Sequence, residues 1–110
     1  MVVHILLAED NALCRMACAE MLEAYGAHVT AVRDGAEAVS ACLTEEFDAA
    51  LLDCYMDDMD GRTAAAKIRQ MRPQMTLVLL TAEPEAATDD FDCVLPKPLR
   101  MEQMAKLLRR

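Results

Sequence analysis

Short apolar runs alternate with segments of helical periodicity along the whole chain, and this alternation limits the folds that the chain can adopt. The apolar runs have the length of buried strands and occupy residues 2–8, 27–32, 49–52, 77–80 and 93–95. Strands that alternate with helices form βαβ units, because parallel neighbouring strands need a crossover connection. The sequence therefore predicts one α/β domain with a mostly parallel five-stranded sheet and helices on both faces.

The helical segments have recognisable ends as well as an apolar face. Asn11 is a predicted N-cap, Gly26 a predicted helix stop and Pro73 the end of the third helix, whereas Asp34 and Gly35 predict a turn. The predicted inner faces are Cys14, Ala17, Cys18, Met21, Leu22 and Tyr25 in the first helix; Ala38, Val39, Cys42 and Leu43 in the second; Ala64, Ala65, Ile68 and Met71 in the third; and Met101, Met104, Ala105 and Leu108 in a last helix over residues 99–109. Residues 83–92 lack this pattern and predict a loop or a single helical turn.

Composition excludes several classes of function. The formal charge of −8 argues against nucleic acid as a direct partner, since phosphate backbones attract basic surfaces. No apolar run approaches the ~20 residues of a membrane-spanning helix, and the N-terminus lacks the features of a signal peptide. We therefore expect no direct membrane contact. The five cysteines are odd in number and do not suggest a disulfide framework, so we expect a cytoplasmic protein. Cys14 and Cys18 could share a helix face as metal ligands, but no matching Cys or His pair follows, and packing is the preferred interpretation.

Charged and hydroxyl side chains follow the predicted strands at the points where those strands end. Glu9 and Asp10 follow the first strand, Asp53 the third, Thr81 the fourth and Lys97 the fifth. The carboxyl ends of parallel strands meet at one edge of a sheet, which is where such sheets bind ligands. Three carboxylates at one edge would repel one another, and a hard cation such as Mg²⁺ would relieve the repulsion. The sequence therefore predicts a magnesium site able to support phosphoryl transfer to Asp53.

Four segments resemble the motifs of response-regulator receiver domains, in the order in which the family has them. They are EDN at residues 9–11, DCYMDDMDG at residues 53–61, TA at residues 81–82 and KP at residues 97–98. The resemblance covers essentially the whole chain, so residues 1–110 are expected to form one CheY-like receiver domain with strand order 2-1-3-4-5. The segments around residues 9–11 and 52–54 most resemble receivers of hybrid sensor histidine kinases.

The resemblance implies a metal site made of oxygen ligands. Asp10 and Asp53 would ligate Mg²⁺ through their side chains, and Glu9 would act through a water molecule. Tyr55 would contribute its backbone carbonyl.

The resemblance also implies a route for the phosphoryl group. Asp53 would accept it from a histidine kinase or a histidine phosphotransfer protein, Thr81 would contact it and Lys97 would pair with it. The peptide bond before the residue that matches Pro98 is usually cis in the family. The domain would be a monomeric signalling module of a two-component phosphorelay and would catalyse only its own phosphorylation and dephosphorylation.

Three features depart from the family pattern. Asp57 stands where the family usually has proline, and Val94 where it usually has a Tyr or Phe that turns inward when the threonine contacts phosphate. Thr81 and Lys97 are 16 residues apart, several fewer than usual, so the family's fourth helix is expected to be short or absent. We therefore expect the response to phosphorylation to be expressed by the loops that follow Asp53 and Thr81.

Other functions fit the sequence less well. A degenerate receiver, which binds partners without phosphorylation, usually loses an acid or the lysine, and this chain keeps them all. A phosphatase with an aspartyl nucleophile carries a second aspartate two residues later, where this chain has Tyr55. A nucleotide-binding domain needs a glycine-rich turn after the first strand, and residues 9–12 contain no glycine.

Overall fold

The computed structural model describes residues 2–108, apart from the side chains of residues 101, 104, 107 and 108. Five strands form one sheet in the order β2-β1-β3-β4-β5, and each neighbouring pair is parallel. In chain order the elements are β1 (His4–Ala8), α1 (Ala12–Ala24), β2 (His28–Val32), α2 (Gly35–Thr44), β3 (Ala49–Asp53), α3 (Gly61–Met71), β4 (Thr76–Leu80), a 3₁₀ helix (Pro84–Ala86), β5 (Cys93–Leu95) and α4 (Met101–Leu108). The predicted strand order and the predicted reduction of the family's fourth helix are both confirmed.

The core lies on both faces of the sheet, because the side chains of a strand alternate between its two faces. Leu6 and Ala8 of β1 pack with buried residues of α2 and α3. Ile5 and Leu7, on the opposite face, pack with Leu22 of α1. All five residues of β3 are buried, as expected of the central strand in a sheet covered on both sides.

Polar side chains cap the first turns of α1 and α2. The Oδ1 atom of Asn11 accepts a hydrogen bond from the amide of Cys14 at 2.9 Å, as its predicted role as an N-cap requires. Asp34 caps α2 in the same way, with a 2.8 Å hydrogen bond from the Glu37 amide. The prediction of a turn at Asp34 and Gly35 was therefore wrong, since an aspartate before a helix and an aspartate in a turn have the same local sequence.

Gly26 ends α1 as predicted, with a φ of +96°, in the left-handed region that side chains disfavour. Pro73 follows the end of α3 as predicted.

The predicted helix faces were partly wrong. On the predicted inner face of the first helix, Leu22 is buried, but Cys14, Ala17 and Tyr25 are exposed. In α2, Ala38 and Cys42 are buried, whereas Leu43 is 64% exposed. Periodicity identifies the direction of a helix face but not how far the sheet beneath extends to cover it. In α4 only Ala105 of the predicted inner face lies among the described side chains, and it is half-buried.

Some element boundaries also differ from the prediction. β1 begins at His4 rather than at residue 2, and α4 begins at Met101 rather than at residue 99. Leu99 packs against the core in front of α4. Arg109, the predicted last residue of α4, lies outside the described residues. Between residues 2 and 108, no helix is long and apolar enough to cross a bilayer.

The segment between β4 and β5 is held by one arginine of α3. The guanidinium group of Arg69 donates to the carbonyl oxygen of Asp90 at 2.6 and 3.2 Å and to the carboxylate of Asp92 at 2.9 Å. It also donates to the carbonyl oxygens of Pro73 at 2.9 Å and Met75 at 2.8 Å. Arg69 therefore joins the end of α3, the start of β4 and the segment before β5.

Replacement of Arg69 by glutamine should lower the free energy of unfolding by about 2 kcal/mol, since hydrogen bonds to a charged group contribute about 1.5–3 kcal/mol each and are not additive. Urea unfolding measures this change. The control is Lys67→Gln, which removes an exposed positive charge from the same helix. Equal stability of the two variants would contradict the role given to Arg69.

Asp92 should make the stability depend on pH. The amide of Leu77 and the guanidinium group of Arg69 both donate to its carboxylate, and these contacts lower the pKa of Asp92 in the folded protein. A carboxyl group with a lowered pKa in the folded state stabilises the fold above its unfolded pKa and loses that effect as the pH falls through its folded pKa. The parent should therefore be more stable than Asp92→Asn at pH 7, and the difference should shrink below about pH 4. Urea unfolding of both proteins between pH 7 and pH 3 measures it, and a constant difference would contradict this assignment.

Candidate phosphoryl-transfer site

The strand ends bring the predicted site residues to one edge of the sheet. Glu9 follows β1, Asp53 ends β3 and Thr81 follows β4, and these three strands are neighbours in the sheet. The exposed fractions of Glu9, Asp53 and Thr81 are 3%, 6% and 3%, so polar groups are buried here beside the core. Burial of an ionised carboxylate is costly unless a partner of opposite charge is present.

Lys97 is that partner. Its Nζ atom lies 2.8 Å from Oε1 of Glu9 and 3.1 Å from Oδ1 of Asp53. Burial lowers the pKa of Lys97, but its hydrogen bonds to the two carboxylates and their negative charges outweigh burial, and the pKa is raised overall. The ammonium group therefore stays protonated and bridges the two acids. The peptide bond between Lys97 and Pro98 is cis, as the resemblance implied.

The carboxylates form a compact group of oxygen ligands. One carboxylate oxygen from each of Glu9, Asp10 and Asp53 lies within 4.8 Å of the other two. Asp10 is exposed, unlike the other two acids, so the acidic group is open to solvent at Asp10. Hard cations such as Mg²⁺ prefer oxygen ligands and keep several water molecules, and this half-open set fits such an ion.

Two glycines position the loop that follows Asp53. The amide of Gly61 donates to the carbonyl oxygen of Cys54 at 3.0 Å, and a Cβ atom at Gly61 would collide with the backbone carbonyl of Asp53. The amide of Gly35 donates to the carbonyl oxygen of Met59 at 3.1 Å, and a Cβ atom there would collide with that same carbonyl. The loop is thus held between the first turns of α2 and α3 by contacts that leave no room for a side chain.

Thr81 lies at the base of a second loop. Its amide donates to the carbonyl oxygen of Leu95 at 3.0 Å, and its Oγ1 atom accepts a hydrogen bond from the amide of Glu83 at 2.9 Å. A hydroxyl group that accepts one hydrogen bond still has its own proton to donate.

Two contacts near the site had not been predicted from the sequence. The guanidinium group of Arg15 donates to the carbonyl oxygen of Glu9 at 2.9 Å, joining the second turn of α1 to the end of β1. The hydroxyl of Tyr55 donates to a carboxylate oxygen of Glu83 at 3.2 Å. The negative charge of Glu83 raises the pKa of Tyr55, since loss of the tyrosine proton would place two anions side by side. Tyr55 had been singled out only for its backbone carbonyl, and no sequence pattern relates it to a residue 28 positions away.

Comparison with known proteins identifies the family. The family model of the response regulator receiver domain matches residues 5–109. The chain belongs to this family. Such receiver domains belong to two-component phosphorelay systems, and the resemblance stated from the four motifs is confirmed.

Relatives of the receiver domain occur in longer proteins. The chain is 35% identical to transcription factor SKN7 of Candida albicans, with 97% of the chain and 20% of that protein aligned. It is 33% identical to sensor protein TorS of Escherichia coli, with 96% of the chain and 12% of that protein aligned. The chain thus spans a fifth or less of the length of these two relatives.

Solved structures agree with the fold. The receiver domain of sensor histidine kinase PA1611 from Pseudomonas aeruginosa, described as having a magnesium ion in its active-site cleft, is 30% identical to the chain. Its TM-score is 0.87, and the alignment covers 98% of this chain and 95% of that one. A CheY-like receiver domain from Methylobacillus flagellatus has a TM-score of 0.89 at 23% identity over 98% and 97% of the two chains, which shows a shared fold.

Asp10→Asn should weaken Mg²⁺ binding by at least about tenfold, since even residues behind the direct ligands change metal affinity 10–100-fold. Titration calorimetry with Mg²⁺ measures the affinity. Glu20→Gln, an exposed acid of α1, is the control because it removes one negative charge outside the acidic group. Equal affinities of the two variants would remove Asp10 from the ligand set.

Proposed function

We propose that this receiver domain is the phosphoacceptor of a two-component phosphorelay, with Asp53 as the residue that takes the phosphoryl group. The observation that carries the proposal is the pair of ion-pair distances from Lys97 to Glu9 and Asp53, 2.8 and 3.1 Å, at a buried edge where Asp10 also lies within ligand distance. A buried nucleophile, a fixed cation and a set of oxygen ligands are the parts that phosphoryl transfer needs.

The transfer would form a bond between a carboxylate oxygen of Asp53 and phosphorus. The bond from phosphorus to nitrogen in a phosphohistidine donor would break, and the imidazole would leave with the bonding electron pair and regain a proton. Lys97, which already contacts Asp53, would pair with the phosphoryl oxygens. Thr81 would donate its hydroxyl proton to one of them.

A magnesium ion would be held by the side chains of Asp10 and Asp53, by Glu9 through a water molecule and by the backbone carbonyl of Tyr55. When bound, it supplies positive charge against the phosphoryl oxygens. The half-open acidic group supports this assignment, because the exposed side of Asp10 leaves room for water and for a phosphoryl oxygen. Neutralisation of the three acids would leave Lys97 available to the incoming group.

The donor would be a histidine kinase or a histidine phosphotransfer protein. Relatives of the chain include sensor protein TorS and a sensor histidine kinase GacS, which supports this choice. The formal charge of −8 supports a monomeric module without direct contact to nucleic acid, and the odd number of cysteines supports a cytoplasmic location without direct membrane contact. Its only catalysis would be its own phosphorylation and dephosphorylation. A degenerate receiver that acts by binding alone is the alternative.

Incubation with Mg²⁺ and acetyl phosphate should add one phosphoryl group to the intact protein. Asp53→Asn should abolish this gain in mass, because a neutral amide lacks the carboxylate oxygen that attacks phosphorus. Mass spectrometry of the intact protein measures it. The control is Asp57→Asn, which removes an exposed carboxylate from the loop after β3 and should still take the group.

Two outcomes would contradict the proposal. A mass gain that survives Asp53→Asn would assign the phosphoryl group to another residue. No gain in the parent, from acetyl phosphate or from a phosphorylated histidine phosphotransfer protein, would favour the degenerate receiver.

A further inference from the structure

The loops after β3 and β4 are joined by one hydrogen bond beside the site, from the Tyr55 hydroxyl to the Glu83 carboxylate at 3.2 Å. Tyr55 lies two residues after Asp53, and Glu83 lies two residues after Thr81. We propose that this hydrogen bond, here named the loop bridge, opens when Thr81 turns to a phosphoryl group on Asp53, and that Glu83 and Tyr55 are the positioning residues that carry the response. The inference rests on the proposed function and names the regulation of that same site.

Glu83 is tied to Thr81 through its backbone. The Glu83 amide donates to the Thr81 hydroxyl at 2.9 Å, and among the described residues no hydrogen bond joins that hydroxyl to Asp53. Threonine is branched at Cβ, so its hydroxyl moves between a few discrete rotamers rather than continuously. A rotation that brings Oγ1 to a phosphoryl oxygen takes it away from the Glu83 amide and removes the partner that holds this residue.

Glu83 has two further contacts that transmit its movement. Its carboxylate accepts the hydrogen bond of the loop bridge. Its carbonyl oxygen accepts a hydrogen bond from the Ala86 amide at 2.9 Å, and this second bond begins the 3₁₀ helix. A shift of Glu83 therefore acts on the loop after β3 and on the segment before β5 together.

The negative charge of a phosphoryl group would favour opening of the loop bridge, as the rotation of Thr81 does. A phosphoryl group on Asp53 adds negative charge two residues before Tyr55, whose hydroxyl holds the Glu83 carboxylate, and like charges in a shared site repel. The carboxylate of Glu83 is exposed and can move to water, and Tyr55 is 54% exposed. The guanidinium carbon of Arg62 lies 5.8 Å from the centre of the Tyr55 ring, so the ring keeps a partner when the carboxylate leaves.

The loop bridge would take the place of the signalling contacts that the family usually has in β5 and the fourth helix. Val94 of β5 has no aromatic ring to turn inward, and the 3₁₀ helix at Pro84–Ala86 is too short to present a helix face. Glu83 is thus the contact between the phosphoryl-sensing hydroxyl and the exposed loops.

The chain offers a direct reporter of the bridge. It has no tryptophan and only two tyrosines, so Tyr25→Phe leaves Tyr55 as the single emitter. Tyr25 follows the last residue of α1, at the end of that helix remote from Asn11 and the site. Tyrosine emission is quenched while the hydroxyl donates to a carboxylate. In this single-tyrosine protein, beryllium fluoride with Mg²⁺ should therefore raise the emission intensity, and Mg²⁺ alone should not.

Matched variants in the single-tyrosine protein test each link. Glu83→Gln should start at higher emission and respond little, whereas Glu85→Gln, an equal charge change at an exposed neighbouring acid, should respond like the parent. Thr81→Ser keeps the hydroxyl and should respond, and Thr81→Val should not. The two glutamate variants alter exposed side chains, so they decide the matter even where a change at the buried threonine impairs folding.

Binding of the mimic is followed separately by the rise in melting temperature. A rise in melting temperature without a change in emission would overturn the inference and leave the proposed function standing. An emission change in Thr81→Val equal to that of the parent would do the same. No rise in melting temperature, together with no phosphorylation, would contradict both.

Discussion

The contact of one ammonium group with two buried carboxylates is the constraint on which this site depends. Glu9 follows β1 and Asp53 ends β3, and both strands are almost wholly buried, so both acids lie where ionised groups are costly. Lys97, which follows β5, reaches both at 2.8 and 3.1 Å and offsets the cost of their burial. Under the proposed function, the same contact would let the site bind a cation and an anion in turn. A metal ion would take over the neutralisation of the acids, and the ammonium group would then become available to a phosphoryl group.

The sheet supplies the precision that this arrangement needs. The apolar strands β1, β3 and β4 lie side by side in parallel register, so the residues after them meet at one edge. The loop after Asp53 is fixed by backbone contacts at Gly35 and Gly61, which leave no space for a Cβ atom. Asp53 thus rests on the core below it, and the loop after it rests on two helix starts. The base of the site is buried and held by backbone contacts, and its exposed side chains lie above that base.

Sequence patterns predicted what depends on local repetition. Five strands, the strand order and the meeting of Glu9, Asp10 and Asp53 at one edge all follow from the alternation of elements and the resemblance to receivers. Patterns failed where the burial of a helix residue depends on how far the neighbouring sheet extends. Leu43, for example, is 64% exposed although it lies on a face that looked apolar. They also failed where one short motif serves two structures, as at Asp34. Contacts between distant loops, such as that of Tyr55 with Glu83, leave no periodic trace in a single sequence.

The segment that stands in place of the family's fourth helix is held at its two ends by different means. Near β5, Arg69 and Asp92 fasten it to α3 and to the start of β4 through charged hydrogen bonds. Near β4, the Glu83 amide donates to the hydroxyl of Thr81, a neutral acceptor that belongs to the site itself, and the exposed Glu83 carboxylate accepts a hydrogen bond from Tyr55. Hydrogen bonds that involve a charged group are stronger than neutral ones, and those near β5 outnumber the one from Tyr55, so the end near β4 releases more readily. A signal that begins at Asp53, as proposed, would therefore act on the weaker end, and the strong end would keep the rest of the segment in place.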